Sequence, residues 1–220
     1  MAETVFHFIR HGKVENPRNV MYERLPGFHL SGFGVQQVEV AAKFLNQLII
    51  NWPKVTGGIK TKKIVIYTSP LERTVETAQI IAAEFDISTD AIASDDRVIE
   101  AQSYLKGLTI RPRTFFTNDN WTKVLNPFKP SWGESYQDTA QRMVDFVFDK
   151  AREHPQTHVI VASHESPIYV MRRRFSGIHL WHHPGKRDTN NASILSMVFD
   201  DNANDVIRMG FYDPAAALLP

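Results

Sequence analysis

The 220-residue sequence contains no cysteine. This excludes disulfides and thiolate chemistry, and it fits a reducing compartment. It also lacks a charge of one sign. Lys and Arg number 25 against 24 Asp and Glu, a net charge of +1, so broad electrostatic binding to nucleic acid or membrane is not expected. Any affinity for anions must come from a local cluster. No apolar run approaches the length needed to span a bilayer. The opening MAETVFHF shows no basic stretch followed by a long apolar one, so the expectation is a soluble, cytoplasmic protein. Repeats, low-complexity tracts and dividing linkers are absent too. With 43% apolar residues the chain can build a real core, and a single domain over 1–220 is expected.

What is present is an alternation of strands and helices. Thr4 to Ile9, Ile64 to Tyr67 and Thr157 to Ala162 read as strands. Ser31 to Ile50 reads as a helix with Ser31 as its cap, followed by a solvated loop from Asn51 to Lys63 that holds Pro53, Gly57 and Gly58. Leu71 to Phe85, Tyr136 to Ala151 and Pro167 to Phe175 carry helical apolar spacing. Arg97 to Glu100 reads as a short edge element, and Ala192 to Phe199 with Val206 to Tyr212 as a closing antiparallel pair. Residues 101–133 have no clean period and form a long excursion. The expected class is α/β with a mainly parallel sheet, in which ligands bind beyond the carboxyl ends of the strands.

Those ends carry an unusual set of side chains. VFHFIRHG stops abruptly on Arg10, His11 and Gly12. IVIYTSPLER runs into Ser69, Pro70 and Glu72, which read as a capping box with Arg73 in the first turn. HVIVASHESP delivers His164, then Ser166 and Pro167, again a cap and a first-turn proline. Helix N-termini and arginine forks suit phosphate, and cations so gathered repel one another unless an anion joins them. A neutral imidazole in such a pocket can attack phosphorus, with arginines stabilising the transition state, so no metal or other cofactor is required. Glu100, where the chain leaves the sheet, is the candidate general acid, because a carboxyl beside a phosphate dianion keeps its proton longer.

FIRHG, TSPLERTVETA, RVIE, GESYQDTAQRM and VASHE stand in the order and rough spacing of the histidine phosphatase superfamily, phosphoglycerate mutase-like branch, which the chain resembles over Phe6 to Met197. SWGESY, HESPI and HHPGKRD are most similar to actinobacterial members of unsettled substrate. The resemblance implies a three-layer α/β/α fold. It implies His11 as the phosphorylated nucleophile, Arg10, Arg73 and His164 as catalytic phosphate ligands, Glu100 as proton donor, and Glu134 and Arg142 as structural supports. Two departures stand out. Val14 and Pro17 occupy places where many members carry Ser or Thr and Asn, with Asn16 one step early as a substrate-binding candidate. Glu165 replaces the usual glycine after the second histidine and is a candidate for binding the non-phosphate part of the substrate.

The leading reading is a metal-independent phosphomonoesterase acting through phosphohistidine on a small phosphorylated metabolite. The alternatives are a mutase that returns the phosphoryl group to a second hydroxyl, and a catalytically weak phospholigand-binding protein. His7 reads as a satisfied interior histidine. His179, His182 and His183 have metal-ligand spacing, but Pro184 and Gly185 follow and no carboxylate partner is near, so a pocket-wall or surface role is preferred. Arg172, Arg173 and Arg174 read as a solvated face. Tyr104, Phe115, Phe116, Trp121, Phe128 and Trp132 in the excursion either cap a secondary core or roof the site. The apolar C-terminal AAALLP could pack on a second copy of the chain.

Overall fold

The computed structural model describes residues 3–56, 63–102, 106–109, 133–182 and 187–218. Six strands form one sheet: β1 (Glu3–Arg10), β2 (Ile64–Thr68), β3 (Ile92–Ser94), β4 (His158–Ser163), β5 (Ile194–Asp200) and β6 (Asp205–Tyr212), in the order β3-β2-β4-β1-β5-β6. β3, β2, β4 and β1 run parallel, while β5 and β6 close one side antiparallel. Among the described residues the long helices are α1 (Gly32–Thr56), α2 (Glu72–Glu84), α3 (Tyr136–Glu153) and α4 (Glu165–Phe175).

Strand alternation sorts these elements into layers. Phe6 and Phe8 of β1, with Val159 and Val161 of β4, face Met143, Phe146 and Val147 of α3 and Ile168 and Met171 of α4. Ile9, Ile160 and Ala162 face the opposite way, onto Val38, Ala41 and Leu45 of α1 and Ala78 and Ile81 of α2. The central strands are buried on both faces and therefore read as nearly continuous apolar runs. The result is the expected three-layer α/β/α architecture. No described helix is long and apolar enough to cross a membrane.

Two boundaries differ from the sequence expectation. α1 continues through Pro53 instead of ending at Ile50. Trp52 explains the extension: it is buried with Val5 and Val198, so the last turns are held on the sheet by packing that overrides the lost backbone donor. The edge strand is Ile92–Ser94, and Asp96–Val98 is a 3₁₀ turn in which Asp95 accepts the Arg97 backbone N–H. Residues 97–100 are therefore not an edge element. They are a turn that carries Glu100 off the sheet. Of the excursion, Gly107 to Thr109 pairs with Val20 and Met21, whereas its aromatics lie outside the described residues.

A buried pair of imidazoles bridges β1 and β4. His7 Nε2 lies 3.0 Å from His158 Nδ1, and His7 Nδ1 lies 2.8 Å from the Ser196 hydroxyl, so His7 is the satisfied interior residue expected. Burial pushes His158 down to about 4 and holds His7 well below its ordinary value, with His158 adding to the effect. Both are neutral in the fold, while the unfolded chain protonates them near pH ~6.5. Stability is therefore retained above that pH and declines as pH falls toward 4, by roughly 3 kcal/mol through His158 at about 1.4 kcal/mol per pKa unit. Urea midpoints should drop between pH 7 and 5. In His158→Gln the drop should shrink without vanishing, because buried His11 and His164 act in the same sense.

Candidate active site

The site begins with a close crossing of two backbones. The His11 N–H donates to the Ser163 carbonyl at 3.1 Å, and the His11 carbonyl accepts from Asn191 Nδ2 at 3.0 Å. Gly12 then passes directly under the start of α1. A Cβ on Gly12 would stand 2.3 Å from the Gly34 carbonyl oxygen, and one on Gly34 2.0 Å from that of Lys13. The bare residue after His11 therefore makes room for a helix, not for a ligand. Ser31 holds that helix start, accepting from the Gly34 N–H at 3.0 Å, and Val14 is buried and bridged to Leu30.

His11 and His164 meet at the carboxyl ends of β1 and β4, with ring centroids 5.3 Å apart. His11 Nδ1 lies 2.8 Å from the Gly12 carbonyl. A carbonyl only accepts, so Nδ1 carries the proton and Nε2 keeps its lone pair. Arg73 Nη2 lies 3.3 Å from His164 Nδ1. A guanidinium only donates, so His164 protonates Nε2 and gives that N–H to Ser69 Oγ at 2.8 Å. Burial, then Arg73 and Arg10, hold His11 well below its usual range; burial and Arg73 do the same for His164. Both rings are neutral near pH 7.

The cap expected at Ser31 forms, but those expected at Ser69 and Ser166 do not. The Ser69 hydroxyl oxygen accepts from His164 Nε2, and α2 starts at Glu72 with Leu71 in the cap position and no side-chain cap bond. α4 starts at Glu165 behind His164, which leaves Ser166 inside the first turn. Arg73 nevertheless sits in the first turn of α2, fully buried, and its Nη2 donates to the Glu23 carbonyl. Among the described residues, Arg73 Nε and Nη1 and Arg10 Nε are buried without a partner. Each such N–H costs about 1–3 kcal/mol when left unpaired.

Glu100 is held from behind. Arg24 Nε donates to its backbone carbonyl at 2.5 Å, and Arg24 Nη2 reaches Glu134 at 2.6 Å. Glu134 also takes Arg142 Nε at 2.5 Å, and Arg142 donates to the Arg97 carbonyl. Glu134 and Arg142 thus clamp the segment that bears Glu100. Burial raises the Glu100 pKa, against a backbone N–H from Ala101 and the charge of Arg73 and Arg187.

Glu165 lies 3.6 Å from Arg10 Nη1 and 4.0 Å from Arg187 Nη1. Asn16 does not join this group. Its amide spans the turn to Val20, with Nδ2 on the Val20 carbonyl and Oδ1 on the Val20 N–H, so its contacts shape the loop. His182 donates from Nδ1 to the Leu180 carbonyl, accepts from Arg187 Nε at 2.9 Å and stacks on Tyr136, which is the wall role expected. His183 lies outside the described residues. The patch of Arg172 and Arg173 is tied to Asp188 and the His179 carbonyl instead of simply solvated. Tyr22, which no sequence signal marked, stacks on Phe28, lies under Arg73 at 4.8 Å and faces His11 edge-on at 6.3 Å.

Residues 6–211 match the family described as the histidine phosphatase superfamily, branch 1. An uncharacterised protein of Mycobacterium tuberculosis is 38% identical over 218 residues, covering 97% of this chain and 98% of the relative. The chain belongs to the histidine phosphatase superfamily. Its fold is shared with a mycobacterial glucosyl-3-phosphoglycerate phosphatase at TM-score 0.71 and 20% identity, covering 95% and 97% of the two chains. It is also shared with phosphoserine phosphatase of Entamoeba histolytica in complex with 3-phosphoglyceric acid, at TM-score 0.68 and 23% identity, covering 94% and 96%. Gly34→Ala should lower the denaturation midpoint by the equivalent of about 1–3 kcal/mol or more, since only backbone can yield. Gly32→Ala, where nothing lies within 4 Å, should leave the midpoint nearly unchanged.

Proposed function

We propose that the protein is a metal-independent phosphomonoesterase that works through a phosphohistidine on His11 and acts on a small phosphorylated metabolite. One observation carries this reading: a neutral, buried His11 with its Nδ1 proton committed to Gly12, beside two guanidinium groups with unpartnered buried N–H donors. In the first step the Nε2 lone pair bonds to phosphorus and the ester P–O bond breaks. Arg10 and Arg73 carry the charge on the equatorial oxygens, and Glu100 gives its proton to the leaving oxygen. In the second step water attacks phosphorus, the N–P bond breaks, and the Glu100 carboxylate accepts the water's proton. Phosphate leaves and His11 returns to its starting form.

His164 keeps Arg73 in place from Nδ1, and a bound dianion would oppose the burial and Arg73 charge that hold its ring neutral. Glu165 reads the non-phosphate part of the substrate. Burial shifts Glu100 toward its protonated, proton-donating form.

The pH dependence tests the assignment. kcat/KM should rise with pH as His11 loses its proton and fall at higher pH as Glu100 loses its own. Glu100→Gln should lower hydrolysis of an alkyl phosphate by roughly 10²–10⁴-fold and remove the alkaline limb. The loss should be much smaller for p-nitrophenyl phosphate, whose leaving group needs no proton. Equal losses on both esters would remove Glu100 from the role of acid.

A further inference from the structure

The Glu165–Arg187 pair lies at the edge of the site and is not used by the phosphoryl chemistry. Glu165 is the first residue of α4, directly after His164, and its side chain remains 29% exposed. Its oxygens stand 3.6 Å from Arg10 and 4.0 Å from Arg187. These are ion-pair separations beyond hydrogen-bonding length, and among the described residues no donor bonds either oxygen. Arg187 is fixed by other contacts: its Nε donates to His182 at 2.9 Å, and its guanidinium lies over Tyr136 at 6.0 Å. Its Nη groups therefore face Glu165 from an anchored position. Glu165 ties this pair to the site through Arg10, which closes β1 one residue before His11, so the pair borders the same reaction space.

A carboxylate placed there does two things. It accepts from any hydroxyl carried by the leaving group, and it repels a second anion beside the phosphate. Arg187 at 4.0 Å completes a donor–acceptor gap of zero net charge, into which one hydroxyl can donate to Glu165 and accept from Arg187. We infer that the leaving group is an uncharged polyol, and that Glu165 and Arg187 select it over a carboxylate-bearing one. This rests on the proposed phosphomonoesterase reading and adds the substrate class to it.

The test uses three esters: glycerol 3-phosphate, 3-phosphoglycerate, which differs by a carboxylate in place of a hydroxymethyl group, and phenyl phosphate, which offers neither hydroxyl nor extra charge. The wild-type protein should prefer glycerol 3-phosphate to 3-phosphoglycerate in kcat/KM by roughly tenfold or more. Glu165→Gln should shrink that ratio by roughly tenfold, and Arg187→Gln should enlarge it, because one substitution removes the repulsion and the other the compensating cation. A ratio cancels losses common to both esters, so partial damage to the fold does not produce opposite shifts. A wild-type preference for 3-phosphoglycerate overturns the inference. So does a ratio that both variants leave in place or move in one direction; turnover of phenyl phosphate in those cases leaves the phosphomonoesterase reading standing. Failure to hydrolyse any of the three esters brings down both.

Discussion

The structure turns on two arginines at the carboxyl ends of parallel strands, Arg73 fully buried and Arg10 partly so, whose buried N–H donors no group among the described residues accepts. Arg10 closes β1 and Arg73 opens α2, and neither position is one that folding alone would choose for a cation. Most of the surroundings serve to hold them there. The Glu23 carbonyl and the Tyr22 ring fix Arg73, the Thr189 carbonyl fixes Arg10, and the Gly12–Gly34 crossing draws the loop after β1 tight against α1. An anion bound between the arginines would satisfy these donors with charge-assisted bonds and offset the repulsion between them.

The same burial sets the protonation states. It keeps His11 and His164 neutral, which for His11 is the nucleophilic form, and it keeps the Glu100 proton on its carboxyl to higher pH, which is the acid form. One physical cause thus pushes base and acid in the opposite directions that the chemistry needs. The Arg24–Glu134–Arg142 cluster contributes differently. It ties the backbone on both sides of Glu100, through the Arg97 and Glu100 carbonyls, so that a residue on an irregular turn is as well placed as one on a strand.

The layers and the strand-end residues were legible because both leave periodic or terminal marks. Phe6 and Phe8 alternate with Ile9 in the pattern that puts α3 and α4 on one face and α1 and α2 on the other. Ser69 and Ser166 misled because a cap motif is a local preference, and at Ser69 a distant imidazole took the hydroxyl that the helix would have used. Pro53 misled because a buried tryptophan one residue earlier outweighed it. Asn16, read as a substrate-binding candidate, has an amide that closes a turn with Val20. Tyr22 and Asn191 sit in segments without period or motif, and Arg187 lies in HHPGKRD, a stretch that marks resemblance without assigning the arginine a role. The positions of Tyr22 and Asn191 are set by tertiary contacts with Arg73 and the His11 carbonyl, and no short window of sequence holds both partners.

The central claim, that His11 carries the phosphoryl group, is tested most directly by acid-free quenching during turnover of a ³²P-labelled phosphomonoester, followed by peptide mapping. The account predicts a base-stable, acid-labile label on His11, absent from His11→Ala. Steady hydrolysis with no label on His11, or with the label on another residue, would contradict it.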